Sequence, residues 1–154
     1  MPVVRVYLPV GPADLDELAA RGSLSATPVT PRLAYAVTPE LERAAPARDV
    51  EDLEYAAFSD AVAAAGTTTR GAADRRVVIA ADVDPESLAA SEAPHQPDSV
   101  CAVEVSDPVP LARVASFHVD ERDGSEPDTV PVADADALLW YDATELDVVR
   151  GFFA

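Results

Sequence analysis

The chain has 154 residues, 49% hydrophobic and 25% charged, values of one globular domain rather than of a disordered or fibrous chain. Its formal net charge is −17, from 28 acidic and 11 basic side chains, a field that repels phosphate backbones and anionic lipid and so argues against binding nucleic acid or a membrane surface. No apolar run approaches the roughly 18 residues that cross a bilayer. Met1-Pro2-Val3-Val4-Arg5-Val6-Tyr7-Leu8 reads as a first strand rather than a signal peptide, so the cytoplasm is the expected location.

After Val3–Leu8, Gly11-Pro12-Ala13-Asp14-Leu15 opens a helix with Pro at its first position. Leu15, Leu18 and Ala19 form its apolar stripe and Gly22 stops it. Arg32–Val37 is extended, Thr38-Pro39-Glu40-Leu41 caps a short helix, and Pro46 bounds it. The strongest helical pattern spans Asp49–Ala65. Val50, Leu53, Ala57, Ala61 and Ala65 recur near period 3.6, Phe58 and Val62 widen the face, and Glu51, Asp52 and Glu54 complement the dipole. Gly66 is expected to end that helix. Arg76–Val83 is a strand whose unbroken apolar run predicts burial on both faces.

Asp84-Pro85-Glu86-Ser87-Leu88 begins a helical turn, and Ser91–Asp98, with two Pro, reads as a loop. Val100–Val105 and Arg113–Val119 are strands. Residues 120–136 are acidic, contain Gly124, Pro127 and Pro131, and are expected to be a mobile loop. Ala137–Tyr141 is the last strand and Thr144–Phe152 a terminal helix. Four strand ends thus lead into a helix start, at Gly11, Thr38, Asp84 and Asp142. Convergence on good caps accounts for this better than internal duplication.

The chemistry-bearing residues are few. In Phe117-His118-Val119-Asp120, alternation puts His118 and Asp120 on one face of a strand, a spacing able to hold a metal or to form a general-base pair. Asp82, Asp84 and Asp142 end other strands and could join them. Asp84 and Asp142 stand where helix caps belong, Glu145 three residues after Asp142 resembles a capping box, and Asp120 marks a strand end entering the acidic loop, so the structural role is favoured. Arg75-Arg76 is either an anion clamp or a pair neutralising nearby acids, and the latter is preferred. His95 lies in a Pro-flanked loop. Cys101, the single cysteine, has apolar neighbours and reads as buried and inert. Trp140 and Tyr141 point to opposite faces, one to the core and one available to a partner or ligand. There is no Gly-x-Ser-x-Gly elbow and no Gly-rich phosphate loop. All 11 basic residues are Arg, Lys and Asn are absent, and Ile79 is the lone Ile, the bias of a GC-rich genome or of salt adaptation.

Arg5-Val6-Tyr7-Leu8-Pro9, Glu54-Tyr55-Ala56-Ala57, Arg75–Val83, Phe117-His118-Val119-Asp120 and Leu139–Leu146 together form a familiar pattern. Over nearly its whole length the chain resembles a family of small actinobacterial proteins classed as a domain of unknown function. The resemblance implies an actinobacterial cytoplasmic protein and brings no activity, cofactor or catalytic residue.

The expected fold is α+β, one domain over residues 1–154. A mixed, largely antiparallel sheet of about six strands is covered by helices in a ferredoxin-like manner. The leading functional expectation is a non-enzymatic interaction or regulatory module, associating with a protein partner or with itself. No cofactor, metal, nucleic acid or membrane is assigned. The alternative is a small-ligand or metal-dependent enzyme using His118 and Asp120, with Asp82 and Arg76 as helpers.

Overall fold

Alternating apolar residues in the Val-rich segments and 3.6-period stripes in the Ala- and Leu-rich ones give a sheet with helices on both faces. A computed structural model describes residues 2–68, 75–90, 100–120 and 138–153. The strands are β1 (Val4–Val10), β2 (Ser23–Leu24), β3 (Arg32–Ala36), β4 (Val77–Val83), β5 (Leu88–Ala90), β6 (Ala102–Val105), β7 (Val109–Pro110), β8 (Val114–Asp120) and β9 (Leu138–Asp142). The helices are α1 (Pro12–Arg21), α2 (Pro39–Ala44), α3 (Val50–Thr68) and α4 (Leu146–Gly151). Among the described residues, seven strands form one antiparallel sheet in the order β5-β6-β3-β1-β4-β8-β9, while β2 and β7 pair separately.

β3 and β4 both run antiparallel to β1, which lies between them, and α2 and α3 connect them. This is one split β-α-β unit. The ferredoxin-like order expected from the sequence contains two such units. Here β1 and β3, on either side of α1, are instead direct antiparallel neighbours, and β5, β6, β8 and β9 extend the sheet on both sides.

β4 is buried along almost its whole length, in accord with its unbroken apolar run. Val77, Ile79, Ala81 and Val83 join Val6 and Leu8 of β1, Leu15 and Leu18 of α1, and Leu146 and Val149 of α4 in one core. Val78 and Ala80 face the other way, with Tyr7, Tyr35 and the Ala57, Ala61 and Ala65 face of α3. The Ala-rich inner surface of α3 lets that helix lie close to the sheet. A β-bulge against Ala80/Ala81 inserts one extra residue, Ala115, into β8. Val114 therefore packs in the first core with Phe117 and Val119, despite its different parity.

The starts and stops follow local chemistry. Pro12 enters α1, and the Asp14 carboxylate accepts the Gly11 N–H at 3.0 Å. Gly22 ends α1 in the left-handed region at φ 74°, its N–H donating to the Leu18 carbonyl. The Thr38 Oγ1 accepts the Leu41 N–H at 3.1 Å and its hydroxyl donates to the Val100 carbonyl, which joins α2 to the start of β6. Asp142 and Glu145 exchange bonds with the first turn after β9, Glu145 accepting the Asp142 N–H at 2.8 Å.

Several boundaries differ from the sequence reading. α3 passes Gly66 and ends at Thr68, since an interior glycine costs about 1 kcal/mol, too little to stop a helix of 19 residues. Ala143–Glu145 forms a 3₁₀ turn before α4, so the terminal helix proper begins at Leu146. β2, β5 and β7, with two or three residues each, are too short to leave a periodic signature. The expected loops at Ser91–Asp98 and 120–136 lie outside the described residues except at Asp120, and His95 lies outside them too.

Candidate functional site

β8 delivers Ser116, His118 and Asp120 to the face covered by α3, while Phe117 and Val119 enter the opposite core. The register sets His118 between Val78 of β4 and Trp140 of β9, and Ser116 beside Ala80. Arg76, Asp82, His118 and Asp120 thus share one face of the sheet. They do not share a site.

Asp120 is engaged with Arg76. The guanidinium donates from Nε and Nη2 at 2.9 and 2.8 Å, and the Arg76 backbone N–H adds a third bond at 2.7 Å. Their side chains are 10% and 12% exposed, a depth at which the pair holds only because nearly every lone pair is met. Arg75 donates to the Asp120 carbonyl and lies over the Phe152 ring at 4.9 Å. Asp82 is engaged at the other end of β4, where Arg5 grips it at 2.7 and 3.2 Å, and this contact raises the Arg5 pKa. Six residue-to-residue steps along the strand separate Arg76 from Asp82, about 20 Å at roughly 3.3–3.4 Å per step. The two carboxylates therefore close opposite ends of the face.

Of the other strand-end acids, Asp142 caps the turn that follows it, and bonds from Thr144 hold its carboxyl below the usual range. Asp84 occupies a capping position without a side-chain cap bond, because its backbone carbonyl takes both the Ser87 N–H and hydroxyl. Its carboxylate lies 3.6 Å from Arg113 instead. Cys101 is buried, and burial ahead of the nearby Asp60 pushes its thiol up to about 12, where it stays protonated and inert. Among the described residues, no three of His, Cys, Asp and Glu gather as a metal ion requires.

His118 does face a hollow, of about 300 Å³. Its floor is Tyr7, Ser116, His118 and Phe58, with the Phe58 ring 4.7 Å from the imidazole and 5.7 Å from Tyr7. Arg5, Glu51, Glu54, Tyr55 and Trp140 wall it, Trp140 at 62% and Tyr55 at 49% exposure. Glu51, Glu54, Tyr55 and Phe58 follow i, i+3, i+4, i+7, so one stripe of α3 supplies one side. That stripe is readable in the sequence, where Glu51 and Glu54 look like dipole partners and Phe58 like core.

The hollow's electrostatics are distinctive. Burial first, and Arg5 second, push the His118 pKa down to about 4, so the ring is neutral at pH 7. Its Nε2 lies 3.0 Å from the Ser116 hydroxyl, its one side-chain hydrogen-bond partner among the described residues. Burial and the Glu54 charge raise the Tyr7 pKa. A Ser–His contact is the start of nucleophilic chemistry. Among the described residues no carboxylate bonds the His118 ring, and a lowered pKa weakens it as a general base near neutrality.

A second hollow, about 440 Å³, lies between α1 and α4 and is lined by Leu15, Asp16, Asp147, Arg150 and Phe153. Its charges satisfy one another, Arg150 reaching Asp16 at 3.1 Å and Asp147 at 3.6 Å.

A family model matches residues 4–149, nearly the entire chain and every residue of the His118 hollow from Arg5 to Trp140. The chain belongs to the family of unknown function DUF6912. No curated protein and no solved structure matches it. The family assignment agrees with the resemblance carried by the sequence motifs in being to a family of unknown function, and assigns no chemistry to the hollow. Among the described residues no helix is long and apolar enough to cross a membrane.

Proposed function

We propose that this chain is a non-enzymatic recognition module that associates with a protein partner through the face bearing Trp140. The exposure of Trp140 carries the reading: the indole is 62% exposed at the rim of a hollow backed by Tyr55 and Phe58. Trp and Tyr over a preformed pocket are the residues that dominate protein–protein contacts. A −17 chain favours a partner of opposite charge over a second copy of itself. The single buried thiol and Arg-only basic set support a reducing cytoplasm and a GC-rich, actinobacterial source.

A second reading, a small-ligand or metal-dependent enzyme built on His118, Asp120, Asp82 and Arg76, draws its support from the Ser116–His118 contact in the hollow. It ranks lower because Asp120 and Asp82 are each held by an arginine at opposite ends of the sheet face.

The test is affinity capture from a native lysate with wild-type and Trp140→Ser chains in parallel, quantified by mass spectrometry, with light scattering on both. A partner enriched by the wild type and depleted about tenfold or more by the variant is the expected result. A partner retained equally by Trp140→Ser, or a monomer that recovers none, refutes the reading. One equivalent of bound metal that disappears in His118→Ala would transfer the assignment to the enzyme.

A further inference from the structure

We propose that the hollow over His118 receives one basic side chain, the guanidinium or ammonium group of an arginine or lysine on the partner protein. This rests on the recognition reading and names the chemistry of what is recognised.

Charge comes first. Among the residues lining the hollow the one cation is Arg5, and two bonds engage it with Asp82. Glu51 and Glu54 on the opposite wall form no ion pair among the described residues, Glu54 reaching Arg5 only through its longer-range field, so among those residues this wall is acidic. His118, the remaining titratable floor group besides Tyr7, is neutral and does not oppose a cation. An anion would meet Glu51 and Glu54 and find Arg5 already engaged.

Shape and surface agree with this. Trp140 stands largely exposed at the rim beside the half-exposed Tyr55, and Trp is the best aromatic partner for a cation. Phe58 is packed on His118 and Tyr7 and closes the bottom with apolar surface, against which the stem of a long basic side chain can lie. At about 300 Å³ the volume is at the floor of the range for small-molecule sites, enough for one side chain. The molecule's overall field draws basic partners and repels a second copy. These considerations favour a basic segment of a different protein.

Trp140 is the only tryptophan in the chain, so its emission reports directly on the site. The full chain is titrated at constant ionic strength with the blocked pentapeptide Gly-Ser-Arg-Ser-Gly, its citrulline analogue of the same shape without charge, and N-acetyl-arginine amide. The arginine peptide is expected to give a saturable change that weakens about tenfold with citrulline and about tenfold in the double variant Glu51→Gln/Glu54→Gln. Raising the salt should weaken it in the unmodified chain too, a check independent of any effect of the variant on folding. Equal binding of the citrulline peptide, no saturable response, or an unchanged double variant overturns the proposal. Blocked arginine binding as tightly as the pentapeptide overturns the assignment to a protein partner in favour of a free organic cation. Failure of the titration while Trp140-dependent capture persists refutes the cation alone, whereas cation binding without a captured partner refutes the recognition role.

Discussion

Replacing His118 with Gln removes the group whose proton affinity changes most on folding in the hollow, and the consequence depends on pH. In the unfolded chain the imidazole titrates near its ordinary 6.5, whereas in the folded chain burial and Arg5 hold it near 4. Between those values the unfolded state binds the proton and the folded state refuses it. Stability is therefore intact above about pH 6.5 and is lost as the pH falls toward 4. Linkage over such a shift amounts to at most about 3 kcal/mol, of which roughly 2 kcal/mol accrues between pH 7 and 4.5. The Gln amide oxygen can still accept the Ser116 hydroxyl, so the substitution keeps that bond while removing the proton site. Urea unfolding of both chains at the two pH values measures the effect as a double difference. Every other titratable group is common to both chains and cancels in the double difference. We expect His118→Gln to gain about 2 kcal/mol on the wild type between pH 7 and 4.5. Parallel losses within about 0.5 kcal/mol, or a His118 ring titrating near 6.5 by NMR, would refute the burial argument.

The two arginine–carboxylate pairs should respond very differently to truncation. Asp120→Ala leaves the guanidinium of Arg76 buried beside an alanine, and denaturant unfolding should show a loss of about 3–5 kcal/mol. Asp82→Ala exposes an arginine that is already 38% accessible, and should cost no more than about 1 kcal/mol in the same assay. Thr38→Val removes both the cap of α2 and the bond to the Val100 carbonyl, for an expected loss of about 1–2 kcal/mol in thermal unfolding. Cys101 should resist iodoacetamide at pH 8 in the folded chain and react only on unfolding, followed by mass shift. Prompt alkylation would contradict its burial.

What could be read from the sequence was what period and capping encode. The apolar run of β4 told of its burial on both faces, the Ala stripe of α3 told which side that helix buries, and Thr38 and Asp142 proved to be caps. The alternation of β8 put His118 and Asp120 on one face, as it had to. It could not say that Arg76 would occupy Asp120, because that depends on pairing two strands 44 residues apart in the chain. The bulge at Ala115 and the short strands β2, β5 and β7 are tertiary consequences with no local signature. The hollow was hidden for a related reason. Glu51, Glu54 and Tyr55 look like an ordinary solvated helix face until Trp140 and His118 are brought opposite them.

The extra residue in β8 makes chain length there a carrier of information. On one side of Ala115 an even-numbered residue, Val114, belongs to the core beneath α1 and α4; on the other side the odd-numbered Phe117 and Val119 do, and the even positions become the polar set beneath α3. A one-residue deletion would bring the two halves into a single phase, so that either a valine is turned out of its core or His118 and Asp120 are driven into it. Of all the substitutions and deletions this strand can undergo, loss of the small, chemically silent Ala115 is thus among the least tolerable. The hollow depends on a residue that lines no part of it.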